Sequence, residues 1–191
     1  MNVFVFHKRQ MQVAILCALL VAAVPLLAVA ITRERLTTAG ADNTNWGLSF
    51  QQEGQPPVGN ASAEYLKPFG AYYVGDTGKK TLYITFDAGF ENGNTPAILD
   101  ALKKHKVSAT FFLVGSCIPG REELVRRMAQ EGHQIGIHTY DHVLVTGLSR
   151  RDFSRQMEQT RSLLHEVLGD GTFWLRPPYG IVDASVRRWA A

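Results

Sequence analysis

The carboxy-terminal part of the chain alternates regularly between strand-like and helix-like segments. Short runs rich in β-branched and aromatic residues are each followed by a segment with apolar residues at helical spacing. This β-α-β-α-β-α-β-α order begins at Thr81 and continues to Ala191. Because strands that alternate with helices are joined by crossover connections, the pattern predicts an α/β fold with a parallel sheet.

Four strands are predicted in this part. The first covers residues 81–86, and Asp87 stands at its end. The second covers residues 107–114 and is apolar on both faces, as buried parallel strands are. The third and fourth cover residues 134–138 and 172–176.

The helices between the strands are predicted from apolar periodicity and capping residues. Their expected caps are Asn94 (with Pro96 in the first turn), Ser149 and Asp183 at the start, and Gly132 and Gly169 at the end. Their expected core-facing residues are Ile98, Leu99, Leu102 and His105, then Leu124, Val125 and Met128, then Phe153, Met157, Thr160, Leu164 and Val167.

The length of this part limits the architecture. A complete eight-unit barrel takes about 250 residues, or about 31 for each βα unit. The 111 residues from Thr81 to Ala191 therefore provide about four units. We expect either an open four-stranded sheet or a barrel that stops early.

Composition excludes several other classes of protein. The chain is 46% apolar and 19% charged, which is ordinary for a globular protein and excludes disordered, collagen-like and disulfide-rich chains. The formal net charge of +3 is too small to indicate a nucleic-acid partner. The two cysteines, Cys17 and Cys117, are not expected to pair, and Cys117 is interpreted as a structural thiol.

The amino terminus indicates export. Lys8 and Arg9 precede residues 13–31, a run of 19 residues without a charge that spans about 28 Å as a helix. Residues 28–30 form an A-x-A pattern that a signal peptidase can cleave, although the length of the run favours an uncleaved anchor. Either way, we expect a membrane-anchored or secreted protein whose carboxy-terminal part lies outside the cytoplasm.

Three regions are predicted along the chain. Residues 1–31 are a signal peptide or membrane anchor, and residues 81–191 are the βα region. Residues 32–80 are rich in Gly, Asn, Thr, Gln and Pro without a clear period, which predicts a linker that ends by packing on the following domain.

Three motifs follow predicted strands, where the active sites of α/β folds form. The first is residues 85–94, in which Asp87 ends the strand ahead of glycines that allow a sharp turn. Asp87 is a candidate general base or metal ligand, and the alternative is an aspartate that caps the turn.

The second motif is His138-Thr-Tyr-Asp-His142. Histidines at positions i and i+4 can point the same way, and neutral imidazoles suit zinc and other late divalent metals. The spacing also occurs by accident, so this motif alone leaves metal binding open.

The third motif is residues 176–180, where prolines and a glycine fix an unusual backbone. Arg176 is placed to orient a carboxylate through paired hydrogen bonds. The alternative is a rigid turn with a solvent-facing arginine.

Taken together and in this order, the motifs resemble the polysaccharide deacetylase family, the NodB-homology domains of carbohydrate esterase family 4. That family carries T-F-D-D-G, H-[ST]-x-x-H and R-x-P-x-G after successive strands of an incomplete (β/α)₇ barrel. The matching segments here are 85–89, 138–142 and 176–180, and the resemblance extends from about Trp46 to Ala191. It implies a NodB-type (β/α) barrel, truncated to about four βα units and preceded by an N-terminal membrane helix.

Within the family, the chain is most similar to the delta-lactam-biosynthetic de-N-acetylases of spore-forming bacteria. These carry N-W-G, Y-x-G-D-T and E-N-G stretches, which match residues 45–47, 73–77 and 91–93. They deacetylate N-acetylmuramic acid in peptidoglycan, a step towards the muramic δ-lactam of spore cortex. The resemblance therefore implies glycan strands of peptidoglycan as the partner.

The resemblance also implies how the site works. Asp87 would be the base that activates water, and His138 and His142 would hold a divalent metal, with zinc the first expectation. The metal would polarise the acetamide carbonyl.

The third motif would serve the base and the substrate. Arg176, Pro178 and Tyr179 are expected to orient the base and to face the substrate or oxyanion. Arg176 would hold Asp87 in place, and Tyr179 would offer its backbone N–H to the oxyanion.

Two departures from the family pattern bear on activity. Ala88 replaces the usual second aspartate, so water or substrate would complete the metal shell, unless Asp141 substitutes. The family's later tryptophan segment and its general-acid histidine have no counterpart here, which would slow expulsion of the amine by about 10²–10⁴. The alternatives are an inactive, membrane-tethered glycan-binding fragment and a deacetylase of N-acetylglucosamine or chitin-like polymers.

Overall fold

The structure is a computed structural model that describes residues 48–171 and 173–191. The predicted signal or anchor at residues 13–31 and the stretch 45–47 lie outside the described residues. Within the described ranges, no helix combines the length and apolar character needed to cross a membrane.

The described residues form six strands and five α-helices. The strands are β1 (Leu48–Ser49), β2 (Val58–Gly59), β3 (Thr85–Ala88), β4 (Thr110–Leu113), β5 (Gln134–Ile137) and β6 (Trp174–Leu175). The helices are α1 (Ala63–Leu66), α2 (Thr95–His105), α3 (Glu122–Gln130), α4 (Arg150–Leu168) and α5 (Ala184–Ala190). Short 3₁₀ turns lie at Lys67–Phe69, Gly115–Cys117 and Pro178–Gly180.

The predicted α/β architecture is confirmed. Strands β3, β4, β5 and β6 form a four-stranded sheet in that order, and every neighbouring pair is parallel. Sequential strands are neighbours because each is joined to the next by a helical crossover. The carboxyl ends of all four strands therefore lie along one edge of the sheet.

Three of the predicted strands are too long. The second, predicted over residues 107–114, covers only Thr110–Leu113. The first begins at Thr85 rather than at residue 81, because its neighbour β4 begins opposite Thr85 at Thr110. One further bond, from the Thr110 N–H to the Ile84 carbonyl, ends the ladder, and Leu82 beyond it is 90% exposed. The fourth strand is reduced to Trp174–Leu175, and Thr172 lies outside the described residues.

The core lies between one face of the sheet and helices α2, α3 and α4. Strand residues such as Phe111 and Ile135 meet helix residues such as Leu99 and Leu164 there, which confirms most of the predicted core face. His105 is a wrong prediction: it ends α2 and stays exposed, as a polar imidazole on a last helical turn can.

The predicted caps hold with one exception. The hydroxyl of Ser149 accepts from the Asp152 N–H at the start of α4, and Asp183 accepts from two backbone N–H groups at the start of α5. Asn94 precedes α2 as expected but has a helical backbone, and its side chain makes no capping bond.

The segment before β3 is more structured than a linker. Strands β1 and β2 pair antiparallel, and Leu66 at the end of α1 is buried. The guanidinium of Arg187, in α5, lies 5.6 Å from the Tyr65 ring centroid. The described part of this segment thus contains short regular elements, and Tyr65 lies beside α5.

Candidate active site

The site forms on the sheet face opposite the helices. Because side chains alternate along a strand, Phe111 and Ile135 point to the helical core, whereas Asp87, Phe112 and Gly136 point the other way. We call this second surface the site face. His138 directly follows β5 and continues the alternation onto the site face.

Asp87 is held by Arg176 across the sheet. The guanidinium Nη1 donates to Asp87 Oδ1 at 2.8 Å and to Thr85 Oγ1 at 2.9 Å. Thr85 and Asp87 are two positions apart on β3, so both oxygens face the same way. Both members of the ion pair are partly exposed, at 45% for Asp87 and 36% for Arg176. The carboxylate is thus fixed in orientation and still reached by water.

His138 is buried and has a defined tautomer. Its side chain is 4% exposed, and Nδ1 lies 2.7 Å from the carbonyl oxygen of Arg176. A carbonyl oxygen only accepts hydrogen bonds, so Nδ1 carries the proton and Nε2 keeps its lone pair. Nε2 faces Asp87, with Oδ2 at 4.0 Å.

Burial lowers the pKa of His138, outweighing the Arg176 carbonyl and the Asp87 carboxylate, which raise it. The imidazole is therefore neutral at neutral pH, which is the form that binds metals.

His142 and Tyr179 complete the cluster. The His142 ring centroid lies 5.0 Å from that of His138 and 5.0 Å from that of Tyr179, with edge-to-face geometry in both pairs. Thr139, His142 and Tyr179 have positive φ angles of 63°, 56° and 61°. Left-handed backbone at such residues costs about 1–3 kcal/mol each and is found where a site requires it.

The third motif forms a 3₁₀ turn directly after β6. The Arg176 N–H donates to the Ile137 carbonyl at 2.9 Å, which ties the motif to the end of β5. Pro178 is buried within the turn, and Tyr179 is 64% exposed. The three motifs therefore meet at the carboxyl ends of β3, β5 and β6, as their positions after strands predict.

Gln156 braces the histidine loop, although it is not among the site residues predicted from the sequence. Its Oε1 accepts from the N–H groups of Tyr140 and Asp141 at 2.9 Å each, and its Nε2 donates to Asp141 Oδ2 at 2.9 Å. It is 6% exposed. A signal was present, because Gln156 lies between Phe153 and Thr160 on the predicted apolar stripe of α4, where a polar residue needs a partner.

Cys117 supports the loop after β3. Its Sγ donates to the carbonyl of Gly89, and the side chain is half-buried. This contact agrees with the predicted structural role.

The donor chemistry of the histidine pair fits a divalent metal. The Arg176 carbonyl fixes the His138 tautomer, as outer partners of metal-binding histidines commonly do. Ala88 instead packs against the apolar core, and Asp141 is hydrogen-bonded to Gln156. In the part of the chain that the structure describes, no group of three or more His, Cys, Asp or Glu residues is arranged to hold a metal. His138 and His142, whose ring centroids lie 5.0 Å apart, are therefore the two candidate ligands in the described residues.

Comparison with known proteins finds a matching family model and several similar proteins. The family model for polysaccharide deacetylases matches residues 74–191. The peptidoglycan-N-acetylmuramic acid deacetylase PdaA of Bacillus subtilis is 34% identical over 173 residues, and a peptidoglycan-N-acetylglucosamine deacetylase of Bacillus cereus is 35% identical over 126. The solved structure of B. subtilis PdaA, described as a family 4 carbohydrate esterase, superposes with a TM-score of 0.69 and 35% identity.

Each match covers a larger share of this chain than of the related protein. The PdaA match includes 90% of this chain and 65% of PdaA, and the B. cereus match includes 66% of this chain and 46% of that protein. The structural match includes 76% of this chain and 63% of the solved PdaA chain.

Proposed function

The chain belongs to the polysaccharide deacetylase family, and from this premise we propose that it removes N-acetyl groups from peptidoglycan amino sugars with the help of a divalent metal. One observation carries the proposal. Asp87, fixed by Arg176, faces the free Nε2 of His138 at 4.0 Å on the same sheet face. The proposed base is thus exposed to water and lies beside the proposed metal ligand.

Asp87 is proposed as the general base. It would take a proton from water as the oxygen attacks the acetamide carbonyl carbon. The Arg176 guanidinium holds one oxygen of the Asp87 carboxylate, leaving the other oxygen directed at the histidine side of the site. Cleavage of the C–N bond, with the proton on Asp87 passed to the departing nitrogen, would give acetate and a free amine.

The histidine pair and the third motif are proposed to serve the acetamide. A divalent metal held by His138 and His142, with zinc as the first expectation, would polarise the carbonyl and acidify the attacking water. Tyr179, in the rigid turn begun by Pro178, is proposed to offer its backbone N–H to the oxyanion.

N-acetylmuramic acid is the proposed sugar, towards the muramic δ-lactam of spore cortex. This choice is supported by the PdaA match, which covers 90% of the chain. N-acetylglucosamine is the second candidate, because the B. cereus relative is named for that substrate.

Acetate release tests the function and the substrate together. The full chain would be incubated with purified peptidoglycan with and without stem peptides, with zinc, cobalt or manganese, and the acetate would be measured. Deacetylated sugars would then be identified by mass spectrometry of muropeptides. Free muramic acid or its lactam supports the first candidate, and free glucosamine supports the second.

Asp87→Asn is the matched control for this experiment, because it preserves shape and removes the base. No acetate from the wild type, under conditions in which PdaA is active, would overturn the deacetylase proposal. Retained affinity for glycan in that case would favour the alternative of an inactive glycan-binding protein.

We further propose that the site acts outside the cytoplasm, since peptidoglycan lies there and residues 13–31 have the composition of an export signal or anchor. Expression with a carboxy-terminal reporter that is active only outside the cytoplasm tests this. Loss of export on deleting residues 13–31 is the expected result, and unchanged export would contradict it.

A further inference from the structure

Four residues in register form a row across the sheet, from Asp87 on β3 at one edge to Trp174 on β6 at the other. Asp87, Phe112, Gly136 and Trp174 are in register across β3, β4, β5 and β6. Residues in register on parallel strands project to the same face, so all four belong to the site face. Phe112 is therefore the immediate neighbour of Asp87 on the site face, across which the Arg176 side chain extends.

Arg176 rests on the ring of Phe112. The guanidinium carbon is 4.2 Å from the ring centroid, and Phe112 is largely buried. An aromatic face attracts a cation, and a planar guanidinium stacks well on it. The ring supports the guanidinium from the sheet while Asp87 Oδ1 and Thr85 Oγ1 hold it from β3.

Gly136 makes room for this ring. A Cβ atom at this position would lie 2.5 Å from Phe112 Cδ1, 2.7 Å from Cε1 and 2.8 Å from the carbonyl oxygen of Trp174. Side chains do not approach one another this closely, so the ring occupies space that only glycine leaves open. The seat of the ring is thus part of the sheet itself and not of a loop.

We propose that Phe112 is a positioning residue: its ring, seated over Gly136, holds the Arg176 guanidinium, which in turn fixes the orientation of Asp87. Phe112 acts only through Arg176. Its effect on turnover rests on the proposed deacetylase function, whereas the stacking itself does not.

The neighbouring phenylalanine provides a matched control. Phe111 is 1% exposed, faces the helical core and stacks on Phe86 with ring centroids 4.9 Å apart. Phe111→Leu and Phe112→Leu make the same change at adjacent positions on opposite faces of β4. Both variants lose packing, and only Phe112→Leu removes the support under Arg176.

Turnover is the first measurement, made on the full chain and corrected for the folded fraction. Phe112→Leu is expected to lower kcat by about 10–100-fold with little change in KM, because a misplacement of about 1 Å at a reacting group can lower rates this much. Phe111→Leu is expected to lower stability and leave kcat unchanged, and Phe112→Tyr, which keeps the ring, is expected to retain most of the activity.

Nuclear magnetic resonance of arginine-labelled protein is the second measurement and needs neither substrate nor metal. Stacking on a ring displaces the Arg176 side-chain resonances, which Arg176→Lys identifies by their disappearance. Phe112→Leu is expected to abolish the displacement, and Phe111→Leu is expected to keep it.

Resonances of Arg176 that do not move in Phe112→Leu would overturn the proposal, as would an equal loss of kcat in the two leucine variants. A wild type that shows the displacement but releases no acetate would support the stacking and overturn the proposed function instead.

Discussion

The carboxyl ends of β3 and β5, two of the three strand ends that build the site, are held in opposite ways. Asp87 lies on β3, which pairs on one side only within the described sheet, and the bond that fixes its carboxylate comes from Arg176, 89 positions later in the sequence. His138 follows β5, which is paired on both sides, and is almost fully buried. The loop after it is braced by Gln156, only 15 and 16 positions from the groups it binds.

This difference matches what each group is proposed to do. A metal ligand must keep its geometry and its neutral form, which burial and local bonds provide. A base must meet water, so it stays at the surface and is oriented by one strong ion pair. The base end therefore depends on one side-chain bond across the sheet, whereas the histidine end depends on burial, on the Arg176 carbonyl and on the bracing of its loop by Gln156.

The largest expected effect is the loss of metal binding when both histidines are removed. The double variant His138→Ala, His142→Ala is expected to lose divalent metal binding completely, because the described residues contain no cluster of three or more His, Cys, Asp or Glu that could bind the metal instead. Isothermal titration with zinc measures this. Retained affinity for zinc would show that the metal is bound elsewhere. The contrast between the Asp87 end of β3 and the histidine end of β5 would then have no functional meaning.

Removing the base should leave the histidine end intact. Asp87→Asn is expected to lower kcat by about 10²–10⁴, the usual contribution of a general base. Zinc affinity, measured in parallel, is expected to stay close to that of the wild type because the His138 tautomer is fixed by a backbone carbonyl. A large loss of affinity would mean that the two ends form one unit.

Loosening the histidine loop should have the converse effect. Gln156→Leu leaves the Tyr140 and Asp141 N–H groups without their acceptor and is expected to weaken metal binding by about 10–100-fold, as loss of an outer partner does. Gln159→Leu is the control, since it makes the same change on the exposed face of α4. Equal effects of the two substitutions would contradict the role assigned to Gln156.

The smallest expected effect lies at the start of α4. Ser149→Ala removes the cap and is expected to lower the free energy of unfolding by about 1 kcal/mol. Chemical denaturation of the wild type and the variant at pH 7 measures it. An unchanged midpoint would show that α4 does not depend on this cap.

The same turn has an expected pH dependence. The hydroxyl of Ser149, aided by Arg155 and Arg151, lowers the pKa of Asp152 from its ordinary value near 3.8. The resulting stabilisation is present above that pH and is lost as pH falls through the lower pKa of the folded state. Denaturation at pH 2–5 is expected to show a shallower decline for Asp152→Asn than for the wild type.

Much of the fold could be predicted because local patterns determine it. The spacing of Leu124, Val125 and Met128 and the caps at Ser149 and Asp183 depend on neighbouring residues alone. Strand lengths could not be predicted, since a ladder extends only as far as its partner strand. The pairing of Asp87 with Arg176 was implied by the family resemblance, whereas their positions after strands predict only that both lie near one edge of the sheet.

Phe112 and Gly136, which support the Arg176 side chain, were harder to predict. Phe112 reads as one apolar residue of a buried strand, and its contact with Arg176 depends on the register of three strands. The seat that Gly136 provides becomes apparent only when both neighbouring strands are placed.

The hydrogen bond from His138 to the carbonyl of Arg176 has a genetic consequence. Any amino acid at position 176 supplies that carbonyl, but only arginine supplies the guanidinium that reaches Asp87. A missense change at this codon would remove the bond to Asp87 and keep the backbone partner of His138. One position therefore serves two strand ends through two independent groups, and only one of these groups is exposed to mutation.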